Sequence, residues 1–319
     1  MTTRALVVGG TGGIGHAIAA RLASDPNTHV TISGRTQPAS MPANTSFLPL
    51  DASSMHAIRT YASNLKSQAT TSTATTSTTT AAKENNPATP QRLDYLVLTQ
   101  GVFTLSSRTE TPHEHMDNKM ALHHYGRHLL IRELGPLLKP DAKILVVLDA
   151  LRGDPRKLNW DDLDLKNTYS LANAMAHCLA MNDAMIQWHA SRQQQQNTTS
   201  SSSGDVRRHF VHAYPGTVNT GIGKNLPWIA RSAIGLLLPL VATSPEICAE
   251  NLLAGTRASA AAGGETGRSW AYIDQKGREI TGKPVWTEEQ INRVAEHTWK
   301  ITDEAIAKGA AAAAAAASA

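Results

Sequence analysis

Cysteine is almost absent: the 319 residues contain only Cys178 and Cys248. The two have neither metal-ligand spacing nor redox-motif spacing, so they are expected as buried small hydrophobes, and no metal site is expected. Aromatic residues are scarce at 5%, and charged residues reach 18% against 41% hydrophobic ones. That balance suits a globular chain with a sizeable core and excludes disulfide miniproteins and collagen-like fibres. Long one-signed blocks are missing too. The 30 Lys and Arg and 26 Asp and Glu are scattered, and the densest basic runs, Arg207 to His209 and Arg152 to Lys157, are short. No nucleic-acid partner is expected, because such binding needs a clustered basic face. Nor does any uncharged apolar run reach the length of about eighteen residues that a membrane span needs. The longest, Ala233 to Ala242, is broken by Pro239. The opening MTTRALVVGG lacks the basic, apolar and small-residue regions of a signal peptide, so a cytoplasmic location is expected.

Three stretches lack periodic apolar residues. Residues 67–90 and 193–204 read as low-complexity surface insertions and 309–319 as a disordered Ala-rich tail. The remainder of 1–308 suits one domain. It alternates short apolar runs with amphipathic segments, the pattern of βαβ units. Strands are expected at 5–8, 30–33, 45–48, 94–98, 143–148, 208–213 and 269–272. Helices are expected at 14–24, 53–66, 114–138, 171–191 and 245–258, with a last one starting at a capping box, Thr287 and Gln290. The fold class is therefore α/β: a single doubly wound, Rossmann-type parallel sheet with helices on both faces.

The most informative segment is RALVVGGTGGIGHAIAARLA. A strand, a glycine-rich turn and an amphipathic helix make a phosphate-binding start, because glycine lets backbone approach a pyrophosphate and the helix N-terminus offers N–H groups. Gly10, Gly12 and Gly15 fit G-x-G-x-x-G, while Gly9, Gly13 and Gly15 fit G-x-x-x-G-x-G. Ile14 lies inside the turn. At the end of the second strand, VTISGRT has Arg35 where an acidic residue would take the ribose hydroxyls of NAD. Its planar fork suits a 2′-phosphate, pointing to NADP, and a solvated loop arginine is the alternative.

With these features the chain resembles the short-chain dehydrogenase/reductase family along nearly its whole length. Further matches are collinear: Asp51 in LPLDASS, Gly101 in YLVLTQG where the family has N-N-A-G, and AYPGTVNT for P-G-x-V-x-T. The resemblance implies that Gly9, Gly13, Ile14, Gly15, Arg35, Asp51 and Gly101 bind the cofactor and that Thr220 contacts the nicotinamide amide. KMALHHYGR and DDLDLKNTYSLANA look like a branch common in filamentous fungi.

The catalytic set departs from the family. Tyr169 matches its proton donor, but Asn173 stands where the family has Lys and brings no positive charge; Lys166 is a possible partial substitute. In KILVVLDALRG, Asp149 and Ala150 replace the family's serines. Asp149 is either an acid–base group or a loop cap paired with Arg152. His123 takes the place of the family's helix Asn, as a proton relay or as a satisfied buried histidine. After Thr220, a greasy segment with Leu226, Trp228, Ile229 and Leu236 lies where the family closes over substrate, implying an apolar small-molecule partner. A lid that packs on the core or dips into a membrane surface is the alternative. The expected function is an NADP(H)-dependent oxidoreductase interconverting a ketone and an alcohol on a hydrophobic molecule, with fungal secondary metabolism as the expected setting. A nucleotide-binding pseudoenzyme and a non-redox isomerase or cyclase are the alternatives. The oligomeric state is open.

Overall fold

The computed structural model describes residues 2–74, 92–199, 206–220 and 242–318. Seven strands, β1 (Thr3–Val8), β2 (Thr28–Gly34), β3 (Thr45–Pro49), β4 (Leu93–Leu98), β5 (Leu138–Val147), β6 (His209–Ala213) and β7 (Trp270–Ile273), form one sheet in the order β3-β2-β1-β4-β5-β6-β7. Every pairing is parallel, with Val7 of β1 opposite Ile32 and Val97. Successive residues of a strand face opposite sides, so β1 feeds two cores. Ala5 and Val7 pack with α1 (Gly13–Ala23) and the helix Pro245–Thr266, while Leu6 and Val8 pack with the helices of the other face. The doubly wound expectation is met.

The strand positions agree with those expected to within one or two residues, except that β5 begins five residues before the expected 143, and the helix ends differ. Helix α2 (Met55–Ala74) runs eight residues past the expected end at 66, into the first low-complexity stretch. The expected helix 114–138 is three pieces: α3 (Asn118–Met120), a π turn (Ala121–Tyr125) and α4 (Gly126–Leu134). It starts late because Asp117 caps it, its side chain accepting from the N–H groups of Lys119 and Met120. Glu114, expected inside that helix, instead caps α2. Its buried carboxylate accepts from Ser54 Oγ at 2.7 Å and from the Met55 and His56 N–H groups at 2.8 and 2.9 Å. The helix ends early because Pro136 leads the chain into a short 3-10 turn and then β5.

Helix α5 (Leu171–Thr199) continues through the glutamine run expected as a surface insertion. Gln193 is buried there, bonding both the N–H and the C=O of Arg208 at 3.0 Å. Helix α6 (Pro245–Thr266) is capped by Ser244 and ends at Gly267 with φ +75°. Helix α7 (Glu288–Ala317) begins at the expected capping box of Thr287 and Gln290. It also carries the expected disordered tail as helix as far as Ala317, since alanine has the highest helix propensity. Gly309 seats that helix on α2: a Cβ there would lie 2.6 Å from His56 Cβ. Residues 75–90 of the first insertion and the greasy segment from 221 to 241 lie outside the described residues. Among the described residues no helix is long and apolar enough to cross a membrane, and Cys178 and Cys248 are free and buried.

Candidate functional site

The turn between β1 and α1 is dictated by backbone space. Gly9 has φ +84° and a Cβ on it would lie 2.5 Å from the Gln100 nitrogen, while Gly13 has φ +54°. A side chain at either position is strained by conformation, and at Gly9 it collides as well. Gly15 is equally close-packed, 2.3 Å from Thr99 Oγ1 to a built Cβ. At Gly12 a Cβ would meet nothing within 4 Å, and no side chain caps α1, so its first-turn N–H groups are left to a ligand.

That turn forms one wall of a cavity of about 620 Å³ at the C-terminal ends of the strands. In an open α/β sheet ligands bind in such a crevice. The cavity is lined by Gly9, Gly13, Ile14 and Gly15 from the turn, Arg35 after β2, and Asp51 after β3. Gly101 after β4 and Thr220 after β6 complete the set expected to bind a cofactor. Arg35 and Asp51 are exposed, and Asp51 accepts from the Ser53 N–H and hydroxyl. The cradle fits a dinucleotide: close backbone approach, free helix N–H groups, and an arginine at the end of β2.

The expected catalytic residues divide. His123 and Asp149 line the cavity; Tyr169 and Asn173 are not among its lining residues. His123 Nε2 lies 2.9 Å from Val102 O and 3.2 Å from Val102 N, and its Nδ1 is buried without a partner. Burial, with Arg127 adding repulsion, pushes it down to about 4, so at neutral pH it is uncharged. Asp149 has the loop-capping geometry: Oδ1 accepts from the Leu151 N–H at 3.1 Å and Oδ2 from Arg152 Nε at 2.5 Å.

Tyr169 is held away by the chain between β5 and α5. Asp162 gathers the N–H groups of Lys166, Asn167 and Thr168, all within 2.9 Å. Beyond that knot, Lys119 Nζ donates to Tyr169 Oη at 3.0 Å, and the exposed Asn173 amide donates to Thr168 O at 2.8 Å. Lys166 pairs with Asp164 at 3.0 Å.

Three residues at the cavity escaped the sequence reading. Tyr214 lines it just before Pro215 and Gly216, and is the phenol among the described lining residues. Gln100 stands at the family's alanine position, with both ends of its buried amide unpartnered. Arg127, one helical turn after His123, is 1% exposed and bonds only main-chain carbonyls. Below the cavity, Asp183 joins His212 Nδ1 at 2.7 Å and Lys283 Nζ at 2.5 Å, and Lys283 also donates to Ala150 O. This buried group fixes the residue beside Asp149.

No family model matches the chain. A curated relative, Oxidoreductase AN1596 of Emericella nidulans, is 29% identical over 225 residues, 69% of this chain. The chain spans about 60% of that relative's length. Among solved structures, a short-chain dehydrogenase family protein from Francisella tularensis is 17% identical with a TM-score of 0.56 over 86% of this chain and 97% of that one. A short-chain dehydrogenase/reductase from Burkholderia multivorans with bound NADP is 16% identical with a TM-score of 0.55, over 88% and 99%.

Proposed function

We propose that this chain, whose fold is that of the short-chain dehydrogenases/reductases, is an NADP(H)-dependent oxidoreductase interconverting a ketone and an alcohol on a hydrophobic small molecule. One observation carries the reading: eight residues picked for cofactor binding, from five separate strand ends, line a single cavity. NADP bound in the Burkholderia protein supports the choice of cofactor, as does Arg35 at the cavity mouth. A bound nicotinamide would supply or take the hydride.

The chain's own groups handle orientation and the proton. The Gly9–Gly13 turn and the α1 N–H groups hold a pyrophosphate, and Arg35 the 2′-phosphate. Tyr214 is the hydroxyl donor in the cavity, and uncharged His123 relays the proton. Asp149, engaged by Arg152, shapes the loop. Apolar side chains follow the lining residues: Phe103 and Leu105 after Val102, and Leu151 after Asp149, are 42%, 58% and 45% exposed. Exposed apolar side chains so near the lining residues in the chain support a hydrophobic substrate.

Placement of Tyr169 and Asn173 outside the lining favours a second reading, a nucleotide-binding protein without hydride transfer. One experiment separates the two. Calorimetric titration with NADPH and NADH is combined with reduced-nicotinamide absorbance in the presence of aliphatic and polycyclic ketones. The expected result is tighter binding of NADPH and its ketone-dependent oxidation. Binding without oxidation favours the second reading, and no binding of either nucleotide overturns both.

A further inference from the structure

Among the described residues, five charged ones line the cavity: Arg35, Arg127, Arg152, Asp51 and Asp149. Their charges do not count equally. Arg35 and Asp51 are exposed at the mouth, where water and salt screen them. Asp149 and Arg152 neutralise each other in a direct ion pair. Arg127 is different. Its Nη2 donates to Gln100 O at 2.6 Å, Nη1 to Val147 O at 2.9 Å and Nε to Leu122 O at 3.3 Å. The guanidinium therefore bridges the ends of β4 and β5 through neutral carbonyls, and it forms no ion pair with a carboxylate among the described residues. At 1% exposure its charge is poorly screened. Its field reaches the cavity wall, where it helps keep His123 unprotonated.

The two states of a nicotinamide cofactor differ by one charge, since the oxidised ring is a cation and the reduced ring is neutral. We propose that Arg127 makes this site select the reduced cofactor over the oxidised one, so that NADPH outcompetes NADP+ for the cavity at equal concentration. The inference rests on the dinucleotide reading above and adds a redox-state preference to it. The same cation favours negative charge developing on a carbonyl oxygen in the cavity, a role that Asn173 cannot fill. Arg127 acts through its field and is a positioning residue.

Calorimetric titration with NADP+ and with NADPH tests this without any turnover. The unmodified protein is expected to bind NADPH about tenfold more tightly than NADP+, as for a unit charge several ångströms away at intermediate dielectric. Arg127→Lys, which keeps the charge, should keep the ratio; Arg127→Met should bring it near one, mainly by tightening NADP+. Equal affinities in the unmodified protein, or a ratio that Arg127→Met leaves unchanged, overturn the inference while leaving the cofactor assignment intact. Failure of both nucleotides to bind overturns the assignment as well. Because the unmodified ratio is decisive alone, the test survives a Met variant that does not fold.

Discussion

A phenol can protonate a substrate only if the substrate reaches it, and two tyrosines differ in this respect. Tyr169 has the family's place in the sequence, yet its hydroxyl is taken up by Lys119, fifty residues earlier in the chain. Tyr214 lines the cavity. Tyr169→Phe is therefore expected to leave kcat within about twofold, whereas Tyr214→Phe should lower kcat by about a hundredfold with NADPH affinity nearly unchanged, as for loss of a general acid. Steady-state kinetics and calorimetry on both variants check this, and the reverse pattern returns the role to Tyr169. At the other end of the cavity, Arg35→Asp should reverse the preference for NADPH over NADH, whose native size should be roughly ten- to hundredfold for a charge-assisted contact. Equal native affinities would remove Arg35 from the site. The glycine turn and the strand ends that line the cavity were legible because glycine spacing and strand ends impose backbone geometry locally. The placement of Tyr169 was not legible, for the opposite reason. Its orientation is set by the Asp162 knot and by Lys119, and neither contact can be read from the spacing to Asn173.

The same division between local and distant causes holds for the elements. Strands were legible to within a few residues, because runs such as ALVV must be buried on both faces. The capping box at Thr287 was legible because its two partners are three residues apart. Helix α2 is capped by Glu114 across a separation of about sixty residues, and no local pattern announces that. Glu114→Ala removes one buried carboxylate that serves three donors, and is expected to cost about 3 kcal/mol of stability, read from urea unfolding. A cost below about 1 kcal/mol would mean that the α2 N-terminus finds other partners. In α5, polarity concealed structure: Gln193 closes a two-way bond with the Arg208 backbone at the start of β6. Gln193→Ala should lower the melting temperature by a few degrees, about 1–2 kcal/mol in a chain of this length.

For the whole molecule, the histidines set a pH limit that the net charge of +4 does not reveal. Burial pushes His123, His209 and His297 down to about 4 and His189 to about 3, and holds His124 and His128 well below the ordinary 6.5. All are neutral in the folded protein at pH 7. As pH falls below 6.5, the unfolded chain binds protons that the folded chain refuses, so unfolding becomes progressively easier between about pH 6.5 and 4. Above pH 7 these groups carry no proton in either state and contribute no slope. Each histidine adds at most about 1.4 kcal/mol per pH unit, so the group should make stability fall steeply in that window. His189 isolates one member. It stacks on Phe210 with ring centroids 5.5 Å apart and meets Trp188 edge to face, while its contact with His128 is a long 3.4 Å. His189→Phe keeps the aromatic packing and removes the titration. Urea unfolding at pH 7.5 and pH 5 should give the variant a smaller loss of stability than the unmodified protein, by about one proton's worth of slope. An unchanged difference would show that His189 is protonated in the fold, and that its place among the aromatic rings does not keep it neutral.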